Sequence, residues 1–358
     1  MIPAAKPYIG AEERAAVDRV LASGMLAQGP EVAAFEQEFS EVVGGRECVA
    51  VNSGTSALHM AFIAAGIGAG DEVIVPSFSF AATANSVVLA GATPVFVDIE
   101  IDHFNLDPAA VEAAITPRTR AIMPVHLYGH PANMHAFTEI AERHDLLVFE
   151  DAAQAHAASL DGTPVGAFGI AGSFSFYPTK NMMSGEGGMV STGSPEVARN
   201  VRLLRNQGME KRYANEVVGF NTRMTDVHAA IGRVQLQRLS GWTEARQANA
   251  AFFDAELDGV VVPPVAQGAV HVYHQYTIRV ESQDRDAFVA ALAEHGVGAG
   301  VYYPTPIHRL PSFQQELDLP VTERAAAEVV SLPVYPSLTP AEREQIVEAV
   351  NAVAKAGA

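Results

Sequence analysis

The sequence predicts an α/β protein: a mostly parallel open β-sheet flanked by helices, with a smaller C-terminal α/β domain. Three observations lead to this fold class. Short runs rich in β-branched residues alternate with helical patterns through the first half of the chain, which is typical of parallel sheets with crossover helices. After about residue 165 the alternation stops, and a long helical pattern follows at about 224–258. A shorter α/β segment begins near residue 270.

The first elements are two amphipathic helical patterns at 12–23 and 31–43, each followed by glycine, which commonly ends a helix. The alternating region then predicts strands at Cys48–Val51, Glu72–Val75, Pro94–Val97, Ala121–Val125 and Leu146–Phe149, and helices near 56–66, 81–90, 108–114 and 133–144. Two further strands, Ser173–Phe176 and Gly188–Ser191, flank a glycine-rich turn.

The later elements predict a second domain. They are a strand at 271–280, a helix at 284–295, a strand near 299–303 and a closing helix at 340–354. We place the domain boundary near residue 245, inside or just after the long helical pattern. This predicts a large domain, 1–245, that includes an N-terminal arm, and a small domain, 246–358.

Composition excludes several classes of function. The 358 residues are 49% hydrophobic and carry a net charge of −18, from 23 Lys and Arg against 41 Asp and Glu. So acidic a chain repels phosphate backbones, and we expect no nucleic-acid partner. The single cysteine, Cys48, excludes an intrachain disulfide. Residues 1–10 have no signal-peptide pattern, and no apolar run is long enough to span a membrane, so we expect a cytoplasmic protein without a membrane partner. We also expect no metal.

Two charged residues follow apolar strands. Lys180 comes after Ser173–Phe176, and a lysine at a strand end in weakly charged surroundings can have a pKa low enough to form a Schiff base with an aldehyde. Asp151 comes after Leu146–Phe149, and a buried carboxylate there needs a cationic partner such as a protonated pyridine nitrogen. The alternatives are a lysine that only reaches solvent and an aspartate that caps the next segment.

A third feature is a helix start with a Gly turn between hydroxyl residues. Gly54 and Thr55 lie in Ser-Gly-Thr-Ser, between a strand and a helical pattern, where free N–H groups and the helix dipole suit a phosphate. A simple N-cap is the alternative. Together, the lysine, the aspartate and the helix start match the aldehyde, ring nitrogen and phosphate of pyridoxal 5'-phosphate (PLP). We therefore predict PLP as the cofactor.

Seven sequence blocks resemble the DegT/DnrJ/StrS family of PLP-dependent nucleotide-sugar aminotransferases, which has the fold type I of aspartate aminotransferase. Among the blocks are Gly54-Thr-Ser-Ala-Leu58, Glu150-Asp-Ala-Ala-Gln-Ala-His156, Phe174-Ser-Phe-Tyr-Pro-Thr-Lys-Asn181 and Asn221-Thr-Arg-Met-Thr-Asp226. The resemblance runs from Lys6 to about Phe313. It implies that the sheet belongs to a fold type I aminotransferase.

The resemblance also implies roles for individual residues. Lys180 would hold the cofactor's aldehyde carbon and move the proton, and Asp151 would pair with the ring nitrogen. The other implied cofactor contacts are Phe80 on the ring, Gln154 at the phenolic oxygen, and Gly54, Thr55 and Ser175 at the phosphate. Asn221 would reach the phosphate in the neighbouring subunit, which implies a homodimer with shared active sites. The implied substrate contacts are Lys6, Tyr8 and Arg223 near the nucleotide diphosphate, and Tyr303 and His308 near the sugar.

The implied activity is transfer of an amino group from L-glutamate to a keto-deoxy sugar of a nucleotide diphosphate, at carbon 4 rather than carbon 3. Members that dehydrate sugars have histidine in place of the lysine, so Lys180 favours transamination. Two alternatives stay open at this point. One is a cyclitol-ketone aminotransferase, and the other is a non-catalytic PLP- or sugar-binding regulator with the same fold.

Overall fold

A computed structural model describes residues 1–281 and 283–356. The helices in these residues are α1 (Ala11–Ser23), α2 (Pro30–Ser40), α3 (Gly54–Ala64), α4 (Ala82–Leu89), α5 (Pro108–Ala113), α6 (Met134–His144), α7 (Pro195–Arg205), α8 (Asp226–Glu256), α9 (Arg285–Glu294), α10 (Pro320–Glu328) and α11 (Pro340–Ala356). The strands are β1 (Glu47–Val51), β2 (Glu72–Pro76), β3 (Thr93–Val97), β4 (Thr119–Ile122), β5 (Leu147–Asp151), β6 (Ser159–Leu160), β7 (Thr163–Pro164), β8 (Ala171–Ser175), β9 (Gly188–Thr192), β10 (Met209–Lys211), β11 (Ala214–Asn215), β12 (Ala269–Val270), β13 (Tyr276–Arg279) and β14 (Val329–Leu332).

One seven-stranded sheet dominates the fold, in the order β1-β9-β8-β5-β4-β2-β3. The pairs from β3 to β8 are parallel, whereas β9 runs antiparallel between β8 and β1. Strands β2, β8 and β9 are buried along their whole length. Parallel strands covered by helices on both faces are expected to be this apolar. The predicted α/β sheet is therefore confirmed.

Helix α6 illustrates how the local sequence forms the covering layer. Asn133 caps its start by accepting a hydrogen bond from the backbone N–H of Ala136. Its apolar residues recur at helical spacing, so one face, with Phe137 and Ile140, is buried against the sheet. Basic residues in its last turn complement the helix dipole.

The C-terminal segment differs from the prediction. The strand expected at 271–280 is confined to β13, and α10 and β14 were not predicted. The strand expected near 299–303 is wrong, because pairing there is confined to Gly300 and Ser331. The chain then leaves the sheet, and Tyr302 and Tyr303 line a cleft instead. The partner of β13 is β14, which pairs with it antiparallel.

Helix α8 joins the two parts of the molecule. It packs against α1 and α2 near its start, and Ala250 and Phe253 near its end belong to the C-terminal hydrophobic cluster. Residue 245 lies inside this helix, and the division into domains 1–245 and 246–358 stays a prediction. Residues 282, 357 and 358 of the predicted small domain lie outside the described residues. Among the helices described, none combines the length and the apolar character that crossing a membrane requires.

Candidate active site

A cleft of about 540 Å³ opens where several strands of the large sheet end. Ligands of open α/β sheets bind at this edge, and the volume is within the roughly 300–1,000 Å³ of small-molecule sites. Seven of the eight predicted cofactor residues line it: Gly54, Thr55, Phe80, Asp151, Gln154, Ser175 and Lys180. Parallel strands explain the convergence, because their carboxyl ends meet at one edge of the sheet.

Lys180 lies in the loop between β8 and β9. Its backbone N–H donates a hydrogen bond of 2.9 Å to the carbonyl of Tyr177, which closes a turn at the mouth of β8. Burial lowers the pKa of Lys180 to about 8, and the Asp151 carboxylate partly opposes this decrease. A neutral amine is therefore accessible near neutral pH, as nucleophilic attack on an aldehyde requires.

Asp151 ends β5 with its side chain almost fully buried. Its carboxylate accepts hydrogen bonds from the Thr83 hydroxyl at 2.8 Å and from the Ala153 backbone N–H at 3.2 Å. The Thr83 hydroxyl is in turn 2.8 Å from that of Ser79. Burial raises the pKa of Asp151, and the Thr83 hydrogen bond opposes the increase. A protonated ring nitrogen would supply the positive charge that this buried carboxylate requires.

The start of α3 forms another wall of the cleft. Ser53 caps the helix by accepting a hydrogen bond of 3.1 Å from the Ser56 backbone N–H. A Cβ atom on Gly54 would lie 2.7 Å from the Cβ of Ser175, so only glycine lets α3 approach β8 this closely. The first N–H groups of a helix have no partner inside it, and they suit a phosphate.

Gln154 has a fixed orientation in the cleft. Its Oε1 accepts a hydrogen bond of 2.7 Å from the Tyr128 backbone N–H, and its Nε2 donates one of 3.1 Å to the Tyr303 hydroxyl. The Phe80 and Tyr303 rings lie 6.0 Å apart between centroids. The Gln154 side-chain amide therefore offers a hydrogen-bond donor to the cleft, and Phe80 offers an aromatic surface to the same cleft.

These residues fit PLP. The cleft provides an amine for the aldehyde, a buried carboxylate for the ring nitrogen and a helix N-terminus for the phosphate. Because Gly54 has no side chain, the N-terminus of α3 is open where the phosphate would lie. In the part of the chain that the structure describes, no cluster of His, Cys, Asp or Glu suits a metal ion.

The other predicted site residues lie in different places. Tyr303 lines the cleft, whereas Lys6 and Tyr8 line a neighbouring cavity. His308 is fully buried away from both, with its ring nitrogens bonded to Ser77 at 2.6 Å and Glu323 at 3.1 Å. Its hydrogen-bonding capacity is thus already used.

Asn221 and Arg223 also lie outside the cleft of their own chain. Asn221 is exposed beside Asn206, whose side chain accepts a hydrogen bond of 3.0 Å from Arg223. Their predicted roles involve the neighbouring subunit, so these roles stay predictions.

The sequence analysis missed Thr83 and Ser79. Ser79 lies just before α4 and Thr83 in its first turn, so the spacing of four residues lets their hydroxyls meet at the helix start. Nothing local connects them with Asp151, which is 68 residues from Thr83. Their role follows from the sheet order, in which only β4 separates β2, which precedes them in the chain, from β5, which carries Asp151.

Comparison with known proteins gives concordant matches. Residues 7–351 match the DegT/DnrJ/EryC1/StrS aminotransferase family. A pleiotropic regulatory protein of Geobacillus stearothermophilus is 43% identical, covering 93% of this chain and 92% of that protein. The dTDP-3-amino-3,4,6-trideoxy-alpha-D-glucose transaminase of Streptomyces venezuelae is 44% identical, and the match covers 98% of this chain and 94% of that protein. The crystal structure of S. venezuelae DesV with a ketimine intermediate matches with a TM-score of 0.93 at 44% identity. The match covers 96% of this chain and 95% of that chain.

Proposed function

The chain belongs to the DegT/DnrJ/EryC1/StrS aminotransferase family of PLP-dependent enzymes with fold type I, and we propose that it aminates a keto-deoxy sugar carried by a nucleotide diphosphate. L-glutamate is the proposed amino donor. The observation that carries the proposal is the pair of Lys180 and Asp151 in one cleft of a transaminase fold. The name of the Streptomyces venezuelae relative supports a nucleotide-sugar acceptor.

When bound, PLP withdraws electrons from the carbon that carries the exchanging amine. In the proposed mechanism, Asp151 keeps the ring nitrogen protonated, and the hydrogen bonds from Thr83 and Ala153 hold its carboxylate in place. Lys180 Nζ would hold the aldehyde carbon of the bound cofactor. As a free amine with a pKa near 8, Lys180 then takes a proton from one carbon and returns it to another.

Carbon 4 is the proposed position of amination, as the sequence resemblance implies. Carbon 3 is the second candidate, because the name of the Streptomyces venezuelae relative places its amine there. A cyclitol ketone is a third acceptor class. A purely regulatory role is set aside, because the chain belongs to an aminotransferase family and keeps both Lys180 and Asp151.

We also propose that the active form is a homodimer with shared sites. Several large apolar side chains of the single chain are exposed, among them Phe80 and Tyr177 at the cleft and Val218 and Phe220 close to Asn221. Large exposed apolar side chains of this kind are candidates for a protein interface. A partner placed there would bring Asn221 toward the neighbouring cleft.

The test is a panel of nucleotide-linked 3-keto and 4-keto sugars and cyclitol ketones, each incubated with PLP enzyme and L-glutamate. We expect one nucleotide-sugar class to gain an amine, located by mass spectrometry and NMR.

Borohydride reduction should fix the cofactor on Lys180. Lys180→Ala should abolish turnover, and Asp151→Asn should reduce it by orders of magnitude while the fold is retained.

The matched control is Lys355→Ala, which removes an exposed lysine near the C-terminus and should leave turnover unchanged. Amination of cyclitol ketones alone would contradict the proposed acceptor. Cofactor fixed on Lys6, Lys211 or Lys355 would contradict the assignment of Lys180.

A further inference from the structure

A second cavity, of about 220 Å³, adjoins the cleft. Lys180 and His274 lie in the wall that the two cavities share. The rest of the second cavity is formed by the N-terminal arm, by the middle of α8 and by the segment at 334–337. A small molecule bound there would lie next to the lysine amine without occupying the larger cleft.

The N-terminal arm is held in place over this cavity. Ile2 is buried in the C-terminal hydrophobic cluster, and its backbone exchanges hydrogen bonds of 2.8 Å with Gly296 and Gly298. The following residues cross the cavity, so that Lys6 Nζ lies 5.9 Å from the centroid of the Tyr335 ring. Lys6 is exposed, and its position depends on the anchored arm rather than on its own packing.

Among the described residues, the charged side chains that line the cavity are all basic. Lys6, Lys180 and Arg246 contribute to its wall, and none of the Asp or Glu side chains in the described ranges does so. This is unusual in a chain with 41 acidic residues and 23 basic ones. Glu342 interacts electrostatically with Lys6 but does not line the cavity. The charged side chains of the lining itself favour an anion.

Arg246 is the least compensated of these charges. It is 7% exposed, and its Nη1 donates to the backbone carbonyls of Tyr273 at 3.0 Å and His274 at 3.5 Å. Burial lowers the pKa of Arg246 to about 10, so the guanidinium stays charged at neutral pH. Its Nε and the buried Tyr335 hydroxyl have no hydrogen-bond partner among the described residues. A buried cation without a counter-charge is costly, and a bound anion would remove that cost.

We propose that this cavity binds a carboxylate of the amino-acid donor, with Lys6 and Arg246 as its counter-charges. This inference rests on the proposed function, because a transaminase must bring the donor's amine to the carbon that Lys180 holds. The α-carboxylate of an amino acid is attached to the same carbon as that amine, so it needs an anion site beside Lys180. The small volume suits a compact acid and leaves the larger cleft for the cofactor and the acceptor sugar. Lys6 thereby binds a carboxylate rather than the diphosphate that the sequence resemblance implied.

The test measures binding of glutarate, a dicarboxylate without an amine, to the PLP enzyme by calorimetry. Lys6→Gln should weaken glutarate binding at least ten-fold and raise the KM for L-glutamate, with the KM for the sugar nucleotide unchanged. Lys6→Arg should restore both values, because it keeps the charge. Lys355→Gln is the matched control and should behave as wild type. Arg246→Lys is the second variant, and circular dichroism checks that it folds, since Arg246 also holds two backbone carbonyls.

Two results would overturn the carboxylate site. One is glutarate binding that is absent in the wild type or equally tight in Lys6→Gln. The other is a Lys6→Gln variant that loses affinity for a nucleoside diphosphate instead, measured with dTDP and UDP alone. Failure of the proposed function gives a different result, in which no nucleotide keto-sugar is aminated although glutarate binding depends on Lys6.

Discussion

Burial acts in opposite directions on the two charged residues that share the cleft. It lowers the pKa of Lys180 to about 8 and raises the pKa of Asp151, since in both cases it disfavours the charged form. The Thr83 hydroxyl and the Ala153 N–H favour the ionised form of Asp151. The site therefore holds a readily deprotonated amine beside a carboxylate whose charge is supported by hydrogen bonds.

We predict that covalent capture of PLP by the cofactor-free enzyme becomes faster as pH rises, with a midpoint near 8. Only the neutral amine attacks the aldehyde, and the pKa of Lys180 is lowered to about 8 from an ordinary value of about 10.4. Stopped-flow absorbance measures the rate. In Asp151→Asn the midpoint should move lower, because the carboxylate charge raises the pKa of Lys180 in the wild type. A midpoint near 10.4 would show that the amine is not desolvated.

Asp226 at the start of α8 connects two helices. It is buried, and its carboxylate accepts hydrogen bonds from Gly29 at 2.8 Å, Val32 at 3.1 Å and Glu31 at 3.3 Å, all at the N-terminus of α2. The side chain satisfies donors that the helix itself leaves unpaired, and its charge favours the positive end of the α2 dipole. Although Asp226 lies in a block that resembles the family, these contacts give it a structural role.

Asp226→Ala should therefore lower the free energy of unfolding by about 2–4 kcal/mol, since one buried and two part-buried N–H groups lose a charged acceptor. Asp226→Asn should cost less, because its amide oxygen still accepts. Urea denaturation at fixed protein concentration measures both. The exposed Asp18 on α1 is the control, and Asp18→Ala should stay within about 0.5 kcal/mol of wild type. An equally small effect of Asp226→Ala would mean that water replaces the carboxylate at α2.

At the scale of the whole molecule, distant segments complete the two cavities. The N-terminal arm reaches the second cavity because Ile2 is anchored in the C-terminal cluster. Tyr303 reaches the cleft from the C-terminal part of the chain. Asn221, which is exposed here, would complete the cleft of a second copy under the proposed dimer.

A mixed-subunit experiment tests that dimer. Lys180→Ala and Asn221→Asp chains should each be nearly inactive, the second because its added charge repels the phosphate. In a heterodimer with shared sites, one site carries both changes and the other carries neither. A random equimolar mixture should thus recover about a quarter of the wild-type sites, since half of the dimers regain one of two sites. If subunit exchange is proven and activity does not return, Asn221 serves the site of its own chain.

The sequence by itself determined the order of strands and helices in the first half of the chain and the position along it of the residues proposed to hold the cofactor. These features depend on local periodicity, on glycine turns and on the rule that parallel strands share one carboxyl edge. Lys180, Asp151 and Gly54 could be proposed from the sequence because each lies at the end of an apolar strand or a few residues after it.

Only the tertiary structure decided which residues surround them. Thr83 reaches Asp151, Arg246 and Lys6 share one cavity, His308 is enclosed by Ser77 and Glu323, and β14 replaces the strand expected near 299–303. Each of these results depends on a contact between residues far apart in the sequence or on the direction of a side chain. Local patterns carry no information about such contacts, because they are set by how the sheet and helices pack.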